Sequence, residues 1–425
     1  MSEHVFLLTP AIKMYPWGKK GGASLVAQLT VAAPGFRVDE NVTYAELWMG
    51  THPAAPSKVL DSGKLLSEHL AANPHLLGEP VINRFGLKEG NLPFLFKVLS
   101  FDKALPVQIH PDKKLAERIH ANEPDRYADP NHKPEMALAL SQFHALCGFL
   151  PGFQVLAYLS LVPEFASMFS QDLIDDLSST VEEKNLDRQK GAIKDLLSTL
   201  LRADKADVEQ NLNVLIDRYR FAKVSPEEEK VKPLILMLHD MYPGDHGVFC
   251  AFLMNYYVLK EGHALSVAVG EPHAYISGDI IECMATSDNT IAAAFTPEED
   301  KDIENFLAGV QVSPATGKAL IQPTMFTPGS THTNGTLVFN PGIHELVVMQ
   351  VIVAKSHIET HRPRRGPSIA IVTEGEGTIV WADGSKRLHL TKGQVVFIGQ
   401  GTVVKFSSRE GPFHLYRAFV EVASD

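Results

Sequence analysis

Three scarcities narrow this chain before any motif is read. Only three of its 425 residues are cysteine, Cys147, Cys250 and Cys283, far apart and all in apolar surroundings. Disulfide frameworks and thiolate zinc clusters need paired or closely spaced cysteines, so neither is supported. Buried thiols in a reducing compartment are the expectation. Basic residues are also in deficit: 39 Lys and Arg stand against 50 Asp and Glu, a formal net charge of -11. That speaks against a nucleic-acid partner, whose phosphates would need a basic face. A small anionic ligand in a locally positive pocket stays open. Long hydrophobic runs are missing too. The longest, Leu346 to Ala354, is interrupted by Gln350 and is far too short to span a bilayer. The first residues, Met1 to Leu8, carry neither a basic n-region nor a long apolar stretch, so no secretory signal is read there. The expected protein is cytoplasmic, free of membrane, and a monomer. With 45% hydrophobic and 21% charged residues it reads as an ordinary globular chain, long enough for two or three domains.

Local patterning divides the chain. Residues 1–152 alternate short strand-like runs, such as Leu92 to Leu99, with turn residues. Within Glu135 to Leu140, period-2 geometry places Glu135, Ala137 and Ala139 on one face and Met136, Leu138 and Leu140 on the other. From 153 to 240 glycine nearly disappears. Ile193, Leu196, Leu197, Leu200 and Leu201 recur there at helical spacing, which predicts a helical domain with charged, solvated faces. Strand signals resume near Gly247 and extend through 241–335, with a second helical stretch expected at 298–320. The final segment, 336–425, is rich in β-branched residues and glycine turns, which argues for a jelly-roll or barrel. It looks like a cupin-type unit. No histidine follows its Gly393–Gly399 turn, so no metal is expected in it. The basic run Arg362-Pro363-Arg364-Arg365 could bind an anion, but it reads more readily as a solvated loop.

Four separated residues carry the chemistry. Gln108 and His110 are two apart, so on a strand both point the same way. Glu135 sits in Asn131-His132-Lys133-Pro134-Glu135, on the face it shares with small alanines. His273 follows the turn Gly270-Glu271-Pro272. Two imidazoles, a carboxylate and an amide oxygen form an N/O set suited to a borderline metal such as zinc, one ion per chain. No fifth strong ligand is apparent, which leaves a position open for substrate, as in catalytic rather than structural sites.

Longer motifs then point to a family. Tyr15-Pro16-Trp17-Gly18, the run Tyr44 to Pro53 (YAELWMGTHP) and Asn131-His132-Lys133-Pro134-Glu135 resemble type I phosphomannose isomerase. So do Tyr242-Pro243-Gly244-Asp245, Glu271-Pro272-His273-Ala274-Tyr275 and the run Glu282 to Asn289 (ECMATSDN). The motifs occur in order over nearly the whole chain. The resemblance implies a mainly β fold: two cupin-like (jelly-roll) β-domains plus an α-helical insertion. It implies zinc on Gln108, His110, Glu135 and His273. It also implies interconversion of mannose 6-phosphate and fructose 6-phosphate, in the supply of GDP-mannose precursors. Glu282 becomes the candidate base, and Lys133 a candidate for stabilising oxyanionic charge, unless it is a surface lysine beside a turn proline. Trp17 could wall the sugar pocket or simply pack in the core. Asp288 reads equally well as a substrate contact or a turn residue. His120, His132 and His144 receive no role.

The chain departs from the family pattern at one end of the site. Ala292 stands where the family carries an arginine, Glu298 where it carries a lysine, and Pro106 where it carries a serine. These positions are associated with gripping the phosphate. Losing a cation that pairs with a desolvated anion costs about 2–5 kcal/mol. The expectation is therefore a kept metal site with an altered phosphate grip. The rival readings are a paralogue acting on an unphosphorylated sugar-like metabolite and a zinc-binding pseudoenzyme with a regulatory role.

Overall fold

The computed structural model describes residues 3–314, 317, 319–326, 335–420 and 422. Its first β-region is built around one long strand, His273–Ala285, which pairs antiparallel with Phe94–Phe101 on one side and Glu135–Ala139 on the other. Glu46–Met49 and Ala11–Lys13 extend the sheet beyond Phe94–Phe101, and Ala264–Val267 extends it beyond Glu135–Ala139. The N-terminal part of the long strand also pairs with Phe143–Phe149 and, at His273, with Val107–Ile109. Because it bridges two sets of partners, the sheet curls around an interior.

The period-2 expectation holds for the residues that line that interior. Ala137 and Ala139 face inward with Leu99, Leu265 and Tyr275, whereas Met136 and Leu138 join Leu47, Val98 and Ile281 on the outer face. That outer face packs against Val348, Ile369, Ile371 and Phe397 of the C-terminal β-region. The C-terminal region is itself a two-sheet structure. An eight-stranded sheet holds Val347–Val353, Phe413–Phe419, Ser368–Glu374 and Val395–Ile398, and a four-stranded sheet holds Ile358–His361, Val404–Ser407, Glu376–Trp381 and Lys386–Thr391. An apolar core of Val351, Ile379, Phe406 and Leu415 lies between them. The N-terminal strand Val5–Thr9 pairs with Val395–Ile398, so it lies in the same eight-stranded sheet as Phe413–Phe419.

Helices fill the 152–250 region. Leu186–Leu201 buries Ile193, Leu196, Leu197, Leu200 and Leu201, the stripe its spacing predicts. Asn185 caps its start by accepting from the Arg188 N–H. Pro226–Met241 opens with a reciprocal capping box between Ser225 and Glu228. The helical expectation for 298–320 is corrected: only a turn at Glu298–Asp300 and the helix Ile303–Gly309 form, followed by the short strand Leu320–Ile321. Gly309 and Pro314 lie in mid-run, and both oppose helix continuation. Residues 315, 316 and 318 of that stretch lie outside the described residues. Among the described residues no helix is long and apolar enough to cross a membrane.

Candidate metal centre and active site

The strand register assembles the site. Gln108 is the direct cross-strand partner of His273 on one side and of Ala292 on the other. Cross-strand partners project to the same face, so Gln108, His273 and Ala292 share one. Glu135 begins its strand opposite Val267 and Met284. A row crosses four adjacent strands in register: Ala137, Glu282, Lys97, Trp48. Sequence spacing alone could not show that alignment.

His110, Glu135 and His273 converge, with one ligand atom of each within 4.8 Å of the others. Their hydrogens can be assigned. The His110 Nδ1–H donates to the Asn289 carbonyl at 2.9 Å, and the His273 Nδ1–H donates to the Glu271 carbonyl at 3.0 Å. Burial, and then the charge of Lys133, push His110 down to about 4, so its ring is neutral at pH 7. A neutral ring has one N–H, which leaves each Nε2 a bare lone pair. Those two atoms are buried with no hydrogen-bond partner, yet they lie 3.0 Å and 3.4 Å from the carboxylate oxygens of Glu135. Three acceptors pointed at one space with no hydrogen between them repel one another unless a cation occupies it. The donor set therefore fits a divalent metal, with two imidazole nitrogens and one carboxylate fixed from behind by carbonyls and by the Tyr275 hydroxyl, which donates to Glu135 at 2.7 Å.

A cavity of about 240 Å³ opens in front of this centre. Gln108, His110 and Glu135 line it, together with the candidate residues Lys133, Glu282, Trp17 and Asp288. Lys133 is buried, and its Nζ donates to Thr290 Oγ1 at 3.1 Å. Trp17 is half-buried and stacks on Tyr15 with ring centroids 5.2 Å apart. Its backbone is seated by Gly18, where a Cβ would come within 2.7 Å of Ala45 Cα. Asp288 is exposed at the rim, its N–H donating to Asp129.

Sequence reasoning missed Lys97, Glu46, Trp48 and Tyr275. Lys97 is fully enclosed, 3.1 Å from Glu282 and 3.7 Å from Glu46, with its ammonium 4.5 Å from the centre of the Trp48 ring. Burial would lower it, but the two carboxylates outweigh that and hold it above its usual value. Burial pushes Glu282 up to about 7; Lys97 opposes that rise, and Glu135 and Glu46 add to it. The Trp48 indole N–H donates to Glu46. The overlooked signal was a lone charge, Lys97, inside the apolar run Leu92 to Leu99.

The departures fall in different places. Pro106 lines the cavity, and Ala292 is buried beside Gln108. Glu298 does not line it: its side chain is 78% exposed and pairs with Lys301 at 2.8 Å. Of the three positions associated with gripping the phosphate, Glu298 is therefore the exposed one, set away from the cavity wall. In the 362–365 run Arg362, Pro363 and Arg365 are exposed, as a solvated loop requires, but Arg364 is buried against Phe326 and Phe419. Larger clefts, of about 400, 490 and 540 Å³, lie elsewhere, and none of the three is lined by a buried cluster of titratable groups.

Comparison with known proteins follows the same lines. The model for the catalytic domain of type I phosphomannose isomerase matches residues 5–152, and that for its helical insertion domain matches residues 168–254. Mannose-6-phosphate isomerase of Cryptococcus neoformans is 43% identical, covering 99% of this chain and 100% of that protein. The Rattus norvegicus enzyme is 36% identical over 95% of each. A zinc-bound crystal structure of mannose 6-phosphate isomerase superposes with a TM-score of 0.79 at 27% identity, covering 99% of this chain and 100% of that one. By its motifs, its fold and these full-length relatives, the chain belongs to the type I phosphomannose isomerase family.

Proposed function

We propose that this chain is a zinc-dependent aldose–ketose isomerase acting on mannose 6-phosphate and fructose 6-phosphate, with Gln108, His110, Glu135 and His273 holding the metal. The observation that carries the reading is the pair of orphaned Nε2 atoms facing Glu135 at the back of a cavity that also holds Glu282. Relatives at 36–43% identity are named mannose-6-phosphate isomerases. Zinc bound here would supply electrostatic stabilisation to the substrate oxygens as negative charge develops on them. Glu282 then takes the proton from C2 of the aldose, leaving an enediolate with its charge on the C1 oxygen, and the O2 hydroxyl proton passes to that oxygen. The same carboxyl returns its proton to C1 as the C2 carbonyl forms, and the ketose is complete with no net proton gained or lost. A base poised at about 7 suits both transfers. Lys133 lies where it can steady negative charge on oxygen, and Trp17 and Asp288 border the sugar. The domain limits 1–152, 153–240, 241–335 and 336–425 go with this reading, as does a cytoplasmic location.

The altered phosphate grip rests on Pro106 and Ala292. One observation favours the second reading, an unphosphorylated sugar. Glu46, Glu135, Glu282 and Asp288 line the cavity against only Lys97 and Lys133, and Lys97 already lies between two carboxylates. Among the described lining residues that leaves Lys133 to meet a phosphate dianion. Zinc-loaded protein assayed on mannose 6-phosphate and on mannose, beside A292R/E298K, separates the cases. Fast wild-type turnover of mannose 6-phosphate would remove the altered-grip argument. Turnover only in the double variant means an intact centre with a changed substrate. Zinc uptake without turnover of either sugar by any form supports the regulatory pseudoenzyme.

A further inference from the structure

Among the described residues the side chains that line the cavity all lie between Tyr15 and Thr290, so the described part of the C-terminal β-region contributes none of them. It nevertheless touches the loop that carries Lys133. On one flank this loop is held by its own β-region: the Asn131 Nδ2–H donates to the Thr286 carbonyl at 2.9 Å, the Asn289 Nδ2–H to the Asn131 carbonyl at 2.8 Å, and the Ala285 N–H to the Pro134 carbonyl at 3.2 Å. On the other flank His132 reaches across the domain boundary to Glu345, with Nε2 and Oε1 3.1 Å apart. A carboxylate only accepts, so the His132 ring carries its hydrogen on Nε2. Both side chains are partly shielded from water, at 32% and 16% exposure, where a charge-assisted hydrogen bond keeps more of its strength than on open surface. The far end is rigid. Leu346, next to Glu345, is fully buried in the core shared by the two β-regions and leads directly into the strand Val347–Val353.

We propose that Glu345 is a positioning residue: through His132 it fixes the loop that aims the Lys133 ammonium into the cavity. This rests on the proposed role of Lys133 in the isomerase. It assigns the C-terminal β-region a part in catalysis that its absence from the cavity wall would not suggest. Misplacing a reacting or stabilising group by about 1 Å can cost on the order of 100-fold in rate. Glu345→Ala leaves the loop held on one flank and should cost roughly 10-fold in kcat.

A double-mutant cycle with two readouts tests it. Glu345→Ala is made in the wild-type and Lys133→Ala backgrounds, with Glu345→Gln as the conservative variant that can still accept the His132 hydrogen bond. The expected result is loss of kcat in the wild-type background, little further loss in the Lys133→Ala background, and recovery of most of the rate in Glu345→Gln. Amide hydrogen exchange at residues 131–135 should quicken in Glu345→Ala and not in Glu345→Gln. Equal losses in both backgrounds would reduce Glu345 to a general stabiliser and overturn the proposal, as would unchanged exchange in the loop. If no form turns over mannose 6-phosphate or mannose, the isomerase reading has failed by itself. The exchange measurement then still decides whether Glu345 holds the loop.

Discussion

The two β-regions bury polar side chains at similar depth but leave their hydrogens in opposite arrangements. In the C-terminal region Arg417 Nη1 lies 3.0 Å from His361 Nδ1, and His361 Nε2 lies 2.8 Å from Thr336 Oγ1, which is 2.8 Å from Glu359 Oε1. A guanidinium can only donate, so His361 Nδ1 accepts and the neutral ring keeps its hydrogen on Nε2 for Thr336. The single threonine hydrogen then goes to Glu359. Charge runs from arginine to carboxylate with a donor and an acceptor at every step. Burial and the neighbouring charge of Arg364 push Arg417 down to about 9. In the catalytic region, by contrast, both imidazoles give their Nδ1 hydrogens to carbonyls behind them and turn bare nitrogens toward a carboxylate that can only accept. Burial of polar groups therefore does not mark a site by itself. What marks it is acceptors aimed at one another with nothing between them.

Substitutions sharpen or break that contrast. The largest effect is expected at Glu282. Glu282→Gln keeps the shape and removes the proposed base, lowering kcat by about 100- to 10,000-fold, with zinc content unchanged by metal analysis. The wild-type pH profile should agree. Burial raises the carboxyl to about 7, and the base is the deprotonated form, so kcat should fall as pH drops below that value. A flat profile down to pH 5 would assign the base elsewhere. Next, His273→Ala should cost more metal affinity than the roughly 10- to 100-fold typical of losing an outer hydrogen-bond partner, whereas His361→Ala should leave zinc content untouched. Should His361→Ala also shed metal, the contrast between the two regions collapses.

Arg417→Met tests the C-terminal chain as a structural network. Removing one end of a buried charge-compensated chain should destabilise by about 3–5 kcal/mol, read from denaturant unfolding, with activity per folded molecule unchanged. The smallest effect is expected for Tyr275→Phe, which deletes only the hydroxyl donated to Glu135. Zinc affinity measured by competition with a chelator should weaken by about 10- to 100-fold. An unchanged affinity would mean that the hydroxyl merely satisfies the carboxylate.

Much of the site was legible because its residues lie in short motifs whose spacing already carries geometry. Gln108 and His110 are two apart, and Glu135 shares a strand face with Ala137 and Ala139. His273 follows a glycine turn into a strand, and the ladder His273–Ala285 puts it across from Gln108. Lys97, Glu46 and Trp48 were not legible as site residues. Their proximity to Glu282 comes from register between strands far apart in the chain, Trp48 against Lys97 and Lys97 against Glu282. A one-residue slip in either ladder would turn them to the opposite face. The helical expectation at 298–320 failed for a related reason: short apolar runs broken by Gly309 and Pro314 do not specify a helix, and tertiary pairing took Leu320–Ile321 into a strand.

The amino-acid sequence alone determined the family, the division into β-regions with a helical insertion, and the donor set for a metal, because motif chemistry and hydrophobic period are local properties. Only the tertiary structure decided that Glu282 is raised to about 7 beside Lys97 and that Glu298 turns away to Lys301. It also decided that Arg364 is buried and that Glu345 of one β-region reaches His132 of the other. Desolvation, charge proximity and contact between domains depend on residues distant in sequence, and strand register and packing bring those together.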